Sequence, residues 1–264
     1  MSDRITTSKL DAMKSAGDKF VMVTAYDSTF ARLVSDAGAE CILVGDSLGM
    51  VLQGHDTTVP VSLDAMVYHT ECVARARPKS MIVADLPFMT YSSPDVALTA
   101  SMELMQQGAQ MVKLEGGVWL SETIHQLVQR GIPVCAHLGL TPQSVNVFGG
   151  YRVMGRTPKE AKSILADAVE IQDAGASMLL LECVPEKLAA DISSKLDIPV
   201  IGIGAGAGTD AQVLVLHDLL GLTEKPAKFV ENFMADADSI QDAIAAFVKA
   251  VKDGSYPTAQ HTYQ

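Results

Sequence analysis

Four short apolar runs each close on an acid: Ile42-Leu43-Val44-Gly45-Asp46, Met81-Ile82-Val83-Ala84-Asp85, Met111-Val112-Lys113-Leu114-Glu115 and Met178-Leu179-Leu180-Leu181-Glu182. Successive apolar residues suit a strand covered on both faces, and parallel α/β barrels keep their reactive groups where such strands end. Asp46, Asp85 and Glu115 close three consecutive predicted strands, so a barrel brings three oxygen donors near one point. Hard divalent cations take such a set, and Mg2+ in particular keeps positions open for water or substrate. Without a cation the three charges repel. The bland alternative for each acid is a helix cap or an ordinary ion pair.

Glu182 lies across the barrel from that trio, in Leu-Leu-Leu-Glu-Cys-Val-Pro, an apolar setting that disfavours ionisation and suits a general base. A buried ion pair is the alternative. Lys113 precedes Glu115 by two residues, so strand alternation aims both into the lumen. There an ammonium could bind a substrate carboxylate, neutralise the acids or form a Schiff base. His137 closes the fifth strand and is a candidate hydrogen-bonding group for substrate or cofactor. Ser47, directly after Asp46, offers a hydroxyl and an N–H suited to a carboxylate ligand. His55 and His69 have no metal-pair spacing and read as structural. Cys183 could be a nucleophile, but the carboxylate beside it raises a thiol pKa and argues against that role.

The elements that must position these groups follow a regular punctuation. Gly38, Gly108, Gly131 and Gly175 each close a helical pattern just before an apolar run, as left-handed helix caps do. Ser93-Pro94 and Thr157-Pro158-Lys159-Glu160 carry helix-start signals, the second with capping-box spacing. Strands at about 20–25, 41–46, 81–85, 111–115, 133–137, 178–182, 199–203 and 213–217, with helices between them, predict a (β/α)8 TIM barrel. Residues 1–264 then form one domain, with a helical C-terminal extension over 229–252 that packs outside the barrel or on a partner subunit. The interval from Gly204 to Gln212 is too short for a full crossover helix, which leaves an open doubly wound sheet as the alternative. Its glycine run, Gly202 to Gly208, does not open a βαβ unit, so it reads as a tight turn for an anion or a close backbone approach to ligand. Ser47 to Pro60 and Leu138 to Arg156 are long connections after strand ends and are expected to cover the acids.

A 264-residue chain with 48% hydrophobic residues can bury a large core, and a formal charge of -11 argues against a nucleic-acid groove or an anionic membrane surface. The stretch from Met1 to Lys19 lacks a signal-peptide core and no run is long enough to span a bilayer, so a cytoplasmic location is expected. Cys41, Cys72, Cys135 and Cys183 have no CxxC pair and read as reduced thiols.

Several motifs together resemble the ketopantoate hydroxymethyltransferase family: Leu43-Val44-Gly45-Asp46-Ser47-Leu48-Gly49-Met50, Gln53-Gly54-His55-Asp56-Thr57-Thr58, Ala84-Asp85-Leu86-Pro87-Phe88-Met89, Lys113-Leu114-Glu115-Gly116-Gly117 and His137-Leu138-Gly139-Leu140-Thr141-Pro142-Gln143. Phe148-Gly149-Gly150-Tyr151, Leu181-Glu182-Cys183-Val184-Pro185 and Ile201-Gly202-Ile203-Gly204-Ala205-Gly206 add to it, in order, from about Thr24 to Phe233. The resemblance implies a Mg2+-dependent barrel enzyme that moves a hydroxymethyl group from 5,10-methylenetetrahydrofolate to 3-methyl-2-oxobutanoate, giving 2-dehydropantoate for pantothenate and coenzyme A synthesis. By the same resemblance Asp46, Asp85 and Glu115 hold the metal, Asp46, Ser47, Asp85 and Lys113 contact the keto acid, Glu182 is the proton acceptor, and the subunits form a homo-oligomer, typically a decamer. Ala211 and Ala76 depart from it, standing where glycine is common. A rival reading is a Mg2+-dependent 2-oxo acid lyase of the phosphoenolpyruvate-binding barrel group, which also stabilises an enolate but needs no folate. A catalytically silent barrel for assembly or storage is a third.

Overall fold

The computed structural model describes residues 4–264; Met1, Ser2 and Asp3, the start of the charged N-terminal stretch, lie outside them. Helix α1 (Thr7–Ala16) precedes β1 (Phe20–Thr24) and α2 (Ser28–Asp36). Then come β2 (Cys41–Val44), the short α3 (Leu48–Val51), α4 (Leu63–Arg75), β3 (Met81–Asp85), α5 (Pro94–Gln106), β4 (Met111–Glu115) and α6 (Ser121–Gln129). The second half runs β5 (Val134–Gly139), α7 (Val145–Phe148), α8 (Pro158–Asp173), β6 (Met178–Glu182), α9 (Glu186–Lys195), β7 (Val200–Ile203), β8 (Ala211–Leu214), α10 (Leu216–Leu219) and α11 (Ile240–Lys252). The strands pair in parallel, each with its sequence neighbours, and β8 returns to β1 through Phe20↔Ala211 and Val23↔Leu214. The sheet is therefore a closed (β/α)8 barrel and the open-sheet alternative falls.

The local signals act as the sequence implies. Gly38, Gly108, Gly131 and Gly175 all hold positive φ, where a Cβ would be strained. Ser93 accepts the Val96 N–H, and Thr157 and Glu160 form a reciprocal capping box that starts α8. Ala76 ends α4 at φ −67, and the turn that glycine would ease falls instead on Arg77 at φ 51. Ala211 sits in extended strand, fully buried, so neither departure disturbs the backbone.

Two elements differ from expectation. The eighth strand runs Ala211–Leu214 rather than 213–217: it begins two residues early, because Gln212 is pulled inside and its Nε2 donates to Gly206 O and Thr209 Oγ1, and it ends before Val215 caps α10. The last helix begins only at Ile240, capped by Ser239, whereas 229–238 is irregular. That helix packs on β1 and α2 outside the barrel, the first of the two expected locations. It buries Ala243, Ile244, Phe247, Val248 and Val251, and Lys252 pairs with Glu40 at 2.6 Å while Glu40 also accepts the Val21 N–H. No helix spans β7 to β8, as the spacing required. Of the glycine run there, Ile203 lines the central cavity, while added Cβ atoms at Gly206 and Gly208 would strike Glu186 and Ala190 of α9 at 2.5 and 2.6 Å. The close approach of Gly206 and Gly208 is to α9, and that of Gly204 is to Phe229 and Tyr263 of the cavity wall. Among the described residues no helix is long and apolar enough to cross a membrane.

Candidate active site

The C-terminal mouth of the barrel opens into a cavity of about 1030 Å³. Residues two apart on one strand reach it together: Lys113 with Glu115 on β4, Leu180 with Glu182 on β6. The two long connections form its rim, with Met50, His55 and Thr58 from the first and Leu140, Tyr151 and Arg156 from the second. They touch each other where Tyr151 Oη meets Met50 Sδ at 3.5 Å.

Asp46, Asp85, Lys113, Glu115 and His137 are all buried and all line this cavity. Lys113 Nζ stands 2.5 Å from Asp85 Oδ1 and 3.8 Å from Glu115 Oε1. Asp85 Oδ2 accepts the Asp46 N–H at 3.0 Å. Burial works against the Lys113 charge, but Asp85, Glu115 and Asp46 outweigh it and hold the ammonium protonated well above its ordinary range. Burial, then the neighbouring Asp85 and Glu115, pushes the Asp46 carboxyl well above the usual carboxylate range. Glu115 goes the other way: burial opposes its charge, yet His137 at 3.2 Å, Lys113 and the Gln143 N–H hold it low. Of the uses open to Lys113, this geometry favours neutralisation, with the ammonium still at the cavity surface for a carboxylate ligand.

Among the described residues no three Asp, Glu, His or Cys side chains already stand as a cage around one point. The acids converge, but Lys113, His137 and Gln143 occupy the space between them. Their chemistry nevertheless fits a divalent cation. Asp85 Oδ1 is buried with only an ion contact and no well-aligned hydrogen bond, and Asp46 carries charge that its neighbours resist. A doubly charged ion held by these carboxylate oxygens would relieve both.

Glu182 differs from expectation. Its side chain keeps 16% of its surface exposed and Oε2 lies 3.4 Å from His137 Nε2, so it faces an imidazole and the open cavity rather than an apolar wall. Leu179 and Leu181, which made the run look apolar, alternate to the helix side and are fully buried there. His137 thus bridges Glu115 and Glu182. Burial pulls its pKa down, and Glu115, with contact from Glu182, outweighs that and lifts it to about 9. Ser47 shares a 2.9 Å hydrogen bond with Tyr26 at the cavity edge. His69 Nδ1 meets Tyr26 O at 2.7 Å, a structural use, while His55 is an exposed rim residue. Burial and then Glu182 push the Cys183 thiol far up, which argues against a nucleophilic role.

One organising residue carried no role in the sequence reading. Gln143 is buried in the β5 connection, donates from Nε2 to Asp46 Oδ2 at 2.8 Å and Leu86 O at 3.0 Å, and gives its backbone N–H to Glu115 Oε2 at 3.0 Å. Tyr91 Oη donates to its Oε1 at 2.5 Å. Its signals were its place directly after Thr141-Pro142, where a short helix turn starts, and at the end of the motif that begins at His137.

The comparisons with known proteins point to one family. The ketopantoate hydroxymethyltransferase family profile matches residues 4–259. The chain is 56% identical over 261 residues to 3-methyl-2-oxobutanoate hydroxymethyltransferase 2 of Pseudomonas entomophila (strain L48), covering 98% of both chains. It is 55% identical over 262 residues to 3-methyl-2-oxobutanoate hydroxymethyltransferase of Marinobacter nauticus (strain ATCC 700491 / DSM 11845 / VT8), covering 98% of this chain and 99% of the other. Among solved structures, phosphonopyruvate hydrolase superposes with TM-score 0.64 at 12% identity, over 84% of each chain. A 2,3-dimethylmalate lyase of the PEP mutase/isocitrate lyase superfamily gives TM-score 0.58 at 15% identity, over 96% of this chain and 99% of its own. At such identities these two share the fold alone. With its acids, its lysine and the match along almost its whole length, the chain belongs to the ketopantoate hydroxymethyltransferase family.

Proposed function

We propose that this chain transfers a hydroxymethyl group from 5,10-methylenetetrahydrofolate to 3-methyl-2-oxobutanoate, with net uptake of one water, to give 2-dehydropantoate. The observation that carries the reading is the buried set Asp46, Asp85, Glu115 and Lys113 facing Glu182 across one cavity, in a chain of this family. Asp46, Asp85 and Glu115 would hold Mg2+, which when bound supplies Lewis-acid polarisation of the keto oxygen. Lys113 and Ser47 bind and orient the substrate carboxylate. Glu182 takes the proton from C3, and His137 at 3.4 Å fixes that carboxylate and compensates its charge before the proton arrives. The carbanion then bonds to the one-carbon unit, the carbon–nitrogen bonds that held that carbon break, the one water taken up supplies the hydroxyl group, and tetrahydrofolate leaves. The rim built from the β2 and β5 connections limits access of bulk water to it. The reading extends to a cytoplasmic homo-oligomer, a decamer by family resemblance, which light scattering on the purified protein tests.

The decisive experiment is exchange of the substrate C3 hydrogen with D2O, followed by NMR. Exchange is expected to need Mg2+ and Glu182 but no folate, and Glu182→Gln slows it roughly a hundred- to ten-thousand-fold. Exchange that persists in Glu182→Gln removes that residue as the base. Product formation without methylenetetrahydrofolate would instead support the lyase chemistry.

A further inference from the structure

The cavity has two unlike halves, and the groups described so far use only one. The acids, Lys113 and His137 sit on the side of β2 to β5. The opposite side, from β7 and β8 round to the chain end, is lined by Ile203, Val213, Val215, Leu222, Phe229 and Tyr263. A cavity of about 1030 Å³ is the size that holds a drug-sized ligand. A five-carbon oxo acid leaves most of it unfilled.

In the wall of the apolar half the turn after β8 presents two polar side chains. The ring of His217 lies 5.9 Å from that of Tyr26, and its Nδ1 is buried with no hydrogen-bond partner among the described residues. Burial lowers its pKa, so it is a neutral imidazole. Asp218, next to it, accepts one hydrogen bond among the described residues, from Thr223 Oγ1, and burial raises its carboxyl. Both line the cavity. The turn is fixed from outside, since Leu216 N–H donates to Thr24 Oγ1 and Leu222 N–H to His217 O, each at 2.9 Å. At the rim, Arg156 and Lys225 add positive charge.

We infer that this half is the subsite for the folate co-substrate, with Asp218 and His217 reading the polar edge of the pterin ring and Arg156 and Lys225 meeting the glutamyl tail. The inference rests on the function proposed above. A pterin edge presents an exocyclic amine and an adjacent ring N–H in parallel, a donor pair that one carboxylate accepts at both oxygens. The flat ring system needs apolar walls, which the six side chains supply. The tail carries carboxylates and needs cations at the exit. The arrangement sets the one-carbon unit between the apolar half and Glu182, on the side from which the substrate carbanion must be approached.

The test is a binding titration with tetrahydrofolate, and separately with the oxo acid plus Mg2+, on the full chain. In Asp218→Asn, which keeps the volume but removes one acceptor and the charge, the Kd for tetrahydrofolate is expected to rise ten- to a hundred-fold. The Kd for the oxo acid should move less than threefold. Lys225→Ala, at an exposed side chain, keeps the test decisive if the first variant unfolds: it weakens tetrahydrofolate several-fold and leaves tetrahydropterin, which has no tail, unchanged. Wild-type protein that binds the oxo acid but not tetrahydrofolate overturns the proposed function and this subsite with it. Wild-type binding of tetrahydrofolate with Kd unmoved in both variants overturns the subsite alone.

Discussion

Replacing Lys113 with Met tests the electrostatic core of the site without emptying its space. The ammonium is almost fully buried, 2.5 Å from Asp85 Oδ1 and 3.8 Å from Glu115 Oε1. At an effective dielectric constant near 20 those separations correspond to roughly 7 and 4 kcal/mol of gross attraction. Desolvation offsets most of that, so the net cost of removing one partner of a buried pair, about 3–5 kcal/mol, is the figure to expect. For a domain of this size the loss lowers Tm by about 6–20 °C. The sign with pH is fixed. In Lys113→Met the folded-state pKa values of the orphaned acids rise above their unfolded values, so the deficit against wild type is largest at pH 8 and shrinks on acidification, as protons replace the ammonium. Mg2+ should restore stability as well, by about 2.7 kcal/mol at a hundred times its Kd. Thermal melts in chelator at pH 8 and pH 5.5, repeated with Mg2+, read all three effects. A deficit below about 1 kcal/mol at pH 8, or one that ignores pH, would refute the reasoning that Lys113 is the counter-charge of a buried acid cluster. A variant indifferent to Mg2+ would remove Asp46, Asp85 and Glu115 as its ligands.

Further outcomes follow from single contacts. Gly139 has φ +91 and an added Cβ would stand 2.2 Å from Glu182 O, so Gly139→Ala must push β6 away; substrate C3 exchange is expected to fall at least tenfold, and full activity would show that Glu182 needs no such placement. Gln143→Leu removes side-chain hydrogen bonds to Asp46 and Tyr91 and should cost about 2–4 kcal/mol by denaturant melts, with weakened Mg2+ binding by calorimetry; an unchanged metal affinity would make Gln143 a purely structural residue. His137, lifted to about 9, contributes stability that is complete below its unfolded value near 6.5 and is lost as pH rises through about 9. In chelator, wild type should therefore lose its advantage over His137→Gln, on the order of 3 kcal/mol, between pH 6.5 and 9.5, and a constant difference would place no proton on that ring.

Much of the site was legible because its physics is local. An acid at the end of an apolar strand and a lysine two residues earlier share a face by backbone geometry alone, so the sequence places Asp46, Asp85, Lys113 and Glu115 in one lumen. What escaped depends on distant partners. The surroundings of Glu182 are set by His137 from the neighbouring strand, not by the leucines beside it in sequence. Gln143 acts by reaching Asp46 and Leu86 from a loop, and glutamine advertises no such reach. Gln212 hid the start of β8 because a polar residue inside a barrel is affordable only when Gly206 and Thr209 satisfy it, contacts that appear once the turn has formed. The irregular 229–238 segment looked helical, yet the chain there wraps Phe233 against Phe247 and Tyr256 at 5.3 and 5.5 Å ring separation, a tertiary demand that overrides local preference.

The packing of α11 on β1 also has a consequence for how the protein is made. Translation delivers β1 long before its covering helix and before β8, the strand that seals the seam. While the ribosome is still reading, the nascent chain holds Phe20 to Thr24 with one edge unpaired and its outer face bare. Final closure thus waits until α11 has been made, and it leaves an aggregation-prone strand edge for chaperones to shield until Lys252 pairs with Glu40.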